Sequence, residues 1–159
     1  MTTSAMVACT GLARRARMTD FSVRGFWANA QISAADQARF FFGMDRLIPR
    51  HFRGYARGLL SGIAGYESWG IPAVARPGWR VFFKGGWRGT GLGQLVHQVA
   101  RLERPHQTFA LAVMTDGNPS MGYGITTIQG ITARLLATAR SARPRLAHSA
   151  PADSAAALR

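Results

Sequence analysis

Lysine and cysteine each occur once in this 159-residue chain, as Lys84 and Cys9, and acidic residues number only seven. A single cysteine excludes an intramolecular disulfide and any cysteine-rich zinc site. A single lysine excludes the pair Ser-x-x-Lys from the whole chain, because Val81 stands three residues before Lys84. No G-x-S-x-G elbow offers another nucleophile. His51, His97, His106 and His148 have no sequence-local partner at metal-ligand spacing, so neither a metal nor a cofactor is expected. No run approaches the roughly 18 continuous apolar residues of a membrane span. The first arginines follow a barely apolar start, the reverse of a secretory signal; the compartment is left open, with a cytoplasmic location the expectation for the chain as written.

What is present suffices for a folded core. Hydrophobic residues make up 47% and charged residues 17%, with nine Phe, four Trp and three Tyr, in a length that fits one domain or part of one. The net charge of +13 owes as much to the shortage of acids as to the arginines, nineteen of the twenty basic residues. Those arginines are scattered with no run longer than two, so a solvated arginine-rich surface is favoured over a nucleic-acid site. A primary amine retained once, at Lys84, contrasts with this bias. Ammonium is a compact point charge whose pKa shifts readily, and guanidinium cannot replace it in proton chemistry.

The spacing predicts a helix over 5–17 and an aperiodic stretch over 19–32 anchored by Phe21, Phe26 and Trp27. Ser33 reads as an N-cap with Asp36 in the capping-box position, opening a helix through Leu47 that buries Ala38, Phe41, Phe42 and Ile48. Pro49 ends it. A second helix follows over 52–63 with Phe52, Tyr55, Leu59 and Ile63 on one stripe, then a Gly- and Pro-rich loop over 65–78. Three strand-forming runs, 79–83, 94–102 and 108–115, are joined by hairpin-length connections and predict an antiparallel meander. A final helix over 120–139 turns Ile125, Ile128, Ile131 and Leu135 inward, and residues 142–159 read as a disordered tail.

The segment GWRVFFKGGW at 78–87 resembles the Lys-Thr/Ser-Gly box on the edge strand of class A β-lactamases and related serine transpeptidases, with Lys84, Gly85 and Gly86 in those places. LAVMTDGNP at 111–119 is similar to the family's next core strand and turn, and SAADQARFF at 33–41 to the helix after its omega loop. At the N-terminus, Ser4-Ala5-Met6 resembles a decayed Ser-Asp-Asn box in which Ser4 alone survives. The resemblance covers about residues 4–138 and implies an α+β class: a partial β-lactamase/transpeptidase-like fold with a three-stranded antiparallel sheet, flanking helices and a C-terminal helix. The domain would be 1–141, the C-terminal half of the complete one.

The resemblance further implies that Lys84 stands beside the nucleophile and the substrate carboxylate. Gly85 and Gly86 let substrate lie on the strand edge, the Trp87 backbone N–H serves as an oxyanion donor, and His97 lies on a strand face nearby. Gly85 departs from the family's hydroxyl residue, and no glutamate lies between Asp20 and Tyr66 to activate water. The competing reading of Lys84-Gly85-Gly86 is a β-bulge or turn carrying a surface lysine. With the nucleophile pair absent, the chain is expected to be inactive alone. Its unpaired sheet edge would suit a complementing chain or self-association, with a β-lactam or peptide as ligand only after completion.

Overall fold

The computed structural model describes residues 3–25 and 29–141, so the expected anchors Phe26 and Trp27 and the tail from 142 onward lie outside the described residues. Among the described residues five α-helices and three strands follow in the order α1 (Thr3–Arg15), α2 (Ala34–Leu47), α3 (Arg53–Ser61), α4 (Ile71–Ala75), β1 (Arg80–Thr90), β2 (Gly93–Arg104), β3 (Gln107–Asn118) and α5 (Met121–Ser141). The strands form the expected antiparallel meander in the order β1-β2-β3. They run longer than their apolar runs, because hairpin pairing continues through the glycines and places Lys84 in mid-strand rather than at a strand end.

Helix α1 ends two residues before the expected position. Its C-terminus closes by paired bonds from Met18 N–H to the Ala13 carbonyl and from Arg17 N–H to the Arg14 carbonyl, both 3.0 Å. That closure requires a left-handed residue, normally glycine, and here Arg17 takes it at φ 58°. Helix α2 starts as read, with the Ser33 hydroxyl accepting the Asp36 N–H at 3.2 Å. Asp36 does not complete the box. Its fully buried carboxylate instead accepts the Thr19 and Asp20 N–H groups at 2.9 and 2.7 Å and pairs with Arg39 at 2.7 Å. Burial pushes the Asp36 pKa up, but those two backbone donors and the Arg39 guanidinium outweigh it and hold it below the usual value. The carboxylate therefore ties the 19–20 segment to α2.

Three apolar faces differ from their sequence reading. On α2, Met44 is buried and Phe42 is 49% exposed, because Phe41 and Met44 share the sheet-facing side and Phe42 is turned about 100° away. On α3 the Phe52, Tyr55 and Leu59 stripe faces solvent, and the inward side is carried by Arg57. Arg57 stacks 4.6 Å from the Phe82 ring and bridges Asp45 of α2 to Glu103 of β2. An ion network thus links the helix to the sheet. On α5 the buried line is Gly124, Ile128, Thr132 and Leu136, a strict i+4 row, leaving Ile131 and Leu135 at the surface. Thr132 is tolerated inside because its hydroxyl donates to the Ile128 carbonyl at 2.7 Å.

Residues 71–75, read as loop, form α4 with Ile71, Pro72 and Ala75 buried. Proline in its first turn costs nothing there, since that N–H would be unpaired in any case. Helices α4 and α5 cover one sheet face, enclosing Trp79, Val81, Phe83, Val96, Ala100, Leu102 and Val113. Helices α2 and α3 cover the other.

Gly124 sets how closely α5 approaches the sheet. A Cβ there would lie 2.6 Å from Val96 Cγ2 and 2.7 Å from Val96 Cβ. Gly124→Ala should therefore destabilise by about 1–3 kcal/mol despite the better helix propensity of alanine. A urea denaturation midpoint at or above that of the parent would show that α5 can shift at no cost.

Candidate functional site

Along β1, side chains alternate between the two helix layers. Val81 and Phe83 enter the α4–α5 core, while Phe82, Lys84 and Gly86 face the α2 side. Register extends that row across the sheet: Lys84 lies opposite Val99 and then Ala112, and Gly86 opposite His97 and then Met114. These residues, with Ile32 and Phe41, line a cavity of about 210 Å³ between the sheet and the first turns of α2. It adjoins a wider groove of about 790 Å³ that adds Trp87, Arg88 and Asp116. Lys84, Gly85, Gly86, Trp87 and His97, expected to share a site, line this one groove.

The Lys84 ammonium is exposed, donates to the Gly85 carbonyl and sits 6.0 Å from the Trp87 ring centre. Among the described residues no carboxylate pairs with it. A cation free of an ion pair at a groove rim can attract an anionic ligand without first breaking a bridge.

His97 is half-buried and its Nδ1 accepts the Thr115 N–H at 3.1 Å, which places the ring proton on Nε2. Burial lowers its pKa below the usual 6.5 and the Arg88 charge adds to this, opposed by hydrogen bonding to the Val96 backbone carbonyl and by the Asp116 charge. A depressed folded-state value means the unfolded chain takes up the proton first. The contribution of His97 to stability is complete above about pH 6.5 and declines as pH falls toward the folded-state value. The urea midpoint should thus fall between pH 7.5 and 5.5, and His97→Gln, whose amide oxygen can accept the Thr115 bond, should flatten that fall. An unchanged pH slope in the glutamine variant would contradict the assignment.

Sequence reading missed two features here. A register shift between Gln94 and Val96 sets Gln94 opposite Asn118, with Gly117 at φ 65° and the Asn118 amide donating to the Gln94 carbonyl at 2.7 Å and to Thr115 Oγ1 at 2.9 Å. This bulge aims Asp116 into the groove, and the Asp-Gly-Asn triplet was its signal. The other is Trp69, whose ring meets Trp87 edge-on at 5.6 Å. A Cβ at Gly85 would come within 3.4 Å of Trp69. The ring fills the space beside this position, a physical reason for glycine where the family resemblance leads one to expect a hydroxyl. Trp69 is itself pinned by Gln98, which donates to its carbonyl at 2.8 Å and accepts the Ile71 N–H at 2.6 Å.

Ser4 lies in the first turn of α1, and its side chain is outside the described residues. No described residue of α1 lines the Lys84 groove. Among the described residues, no three His, Cys, Asp or Glu side chains are grouped to hold a metal, and no helix is long and apolar enough to cross a membrane.

A three-stranded antiparallel meander, helices on both faces and a C-terminal helix packed across the strands constitute part of a β-lactamase/transpeptidase-like fold. The chain is similar to a solved penicillin-binding protein structure, "Structure of PBP-A", with TM-score 0.59 and 12% identity over 83% of this chain. It spans 51% of that chain's length. No family model and no curated protein matches the sequence.

Proposed function

We propose that this chain is the C-terminal, third-box half of a class A-like serine hydrolase domain, residues 1–141, and that alone it is a pseudoenzyme. The observation that carries this is Lys84, the chain's lone lysine, placed in mid-strand at the rim of a groove with Gly86 and His97 beside it. A compact ammonium there lowers the free energy of two anions at once, a serine oxygen and a substrate carboxylate. Gly85 and Gly86 keep the strand edge clear, and the Trp87 N–H supplies an oxyanion donor. Ser4 is the remnant of the second box. Without Ser-x-x-Lys no acyl-enzyme forms. The purified chain is expected to hydrolyse neither a chromogenic β-lactam nor an ester above a denatured control. Reproducible turnover abolished by Lys84→Ala would overturn this.

A second reading, an interaction module, is favoured by the exposed Phe52, Tyr55 and Leu59 stripe, with exposures of 54, 70 and 57%. Three large apolar side chains, Phe52 just before α3 and Tyr55 and Leu59 within it, form a patch of the kind that partners cover. Among the described residues the sheet also ends in unpaired edges at β1 and β3. In this reading a chain carrying Ser-x-x-Lys adds strands at β3, leaving β1 as the substrate edge, and covers α3. Co-expression with such a chain should give a complex that a labelled penicillin acylates. Absence of a complex would remove this second reading.

A further inference from the structure

Arginines that are scattered in sequence gather in space at one place that shares no lining residue with the Lys84 groove. Arg15 and Arg17 from the end of α1 and Arg39 and Arg46 from α2 line a single cavity of about 480 Å³. Asp36 pairs with Arg39, and among the described residues no carboxylate pairs with Arg15, Arg17 or Arg46. Arg15 donates to the Leu47 carbonyl at 3.4 Å, and three exposed guanidiniums without a carboxylate partner leave the cavity positively charged, a field that attracts an anion of high charge.

Two local rules are broken to build this wall. Arg17 occupies the left-handed C-terminal position of α1, at φ 58°, where glycine is free of strain. Gly43 is a buried glycine inside α2, where alanine is favoured, and an added Cβ would stand 3.2 Å from the tip of the Arg46 side chain. Both residues line the same cavity. Where local propensity is sacrificed twice for one feature, a functional site is the physical expectation.

We propose that this cavity binds a compact polyphosphate, an anion carrying at least two phosphoryl groups. Planar guanidinium forks match phosphate oxygens in pairs, and several of them are needed to balance a charge that one carboxylate does not carry. The site is independent of the Lys84 groove and of any hydrolase role.

Inorganic tripolyphosphate is the probe, titrated calorimetrically into the full chain at constant ionic strength. The expected result is saturable binding of one equivalent. Arg17→Gly should unfold at an equal or higher urea concentration without ligand, yet bind about tenfold or more weakly, since it loses charge-assisted bonds while relieving backbone strain. Arg46→Gln should weaken binding similarly, and Arg134→Gln, on α5, should leave it unchanged. Equal affinity in Arg17→Gly and Arg46→Gln, or an equal loss in Arg134→Gln, would show diffuse charge and overturn the site. So would a single-stranded oligonucleotide that outcompetes tripolyphosphate at equal phosphate concentration, because an extended polyanion would then be the ligand.

Discussion

Arg57→Ala is expected to lower the unfolding free energy by roughly 3 kcal/mol, more than a hundredfold in the folding equilibrium. Its guanidinium donates to Asp45 at 3.1 and 2.8 Å and to Glu103 at 2.9 and 2.6 Å. Arg101 closes the ring with Glu103 at 2.7 Å and Asp45 at 3.3 Å. The four side chains are 13–26% exposed, so the network is mostly withdrawn from water and its charges cancel. Removing Arg57 leaves two carboxylates sharing one guanidinium, and α3 loses its principal hold on the sheet. Arg57→Lys should restore only part of the loss, because an ammonium cannot bridge both carboxylates in paired geometry. Urea denaturation reads the effect. A loss under about 0.5 kcal/mol would make these ordinary surface bridges.

The second large effect concerns Lys84 once a nucleophile is supplied. In a complex of this chain with one carrying Ser-x-x-Lys, Lys84→Arg should slow acylation by a labelled penicillin at least about tenfold, although charge is kept. Loss of a well-placed donor to a developing oxyanion costs on the order of 3 kcal/mol, about a hundredfold. Guanidinium is planar and too broad to occupy the space of an ammonium beside a serine oxygen. Equal labelling rates in parent and variant would make Lys84 a surface residue on an ordinary strand.

The meander, the Ser33 cap and the grouping of Lys84, Gly86 and His97 were legible because each depends on near neighbours or on the two-residue period of a strand. Burial on the helices was less so. Periodicity marks an apolar stripe but not what faces it, and the Phe52, Tyr55 and Leu59 stripe turned outward because Arg57 carries the contact with the sheet. Thr132 and Gly124 were overlooked because a buried hydroxyl bonded within its own helix and a glycine at a close approach look polar or neutral in sequence. The arginine cavity was invisible for a different reason. Arg15 and Arg46 are distant along the chain, and only the packing of α1 on α2 brings them together.

Intact-mass measurement of the purified chain after prolonged exposure to a penicillin tests the central claim most directly, because it registers a single acylation without requiring turnover. On the reading proposed above, a chain with Lys84 but no Ser-x-x-Lys should show the unmodified mass alone. A stoichiometric penicilloyl adduct on a serine of this chain, lost in Lys84→Ala, would contradict it.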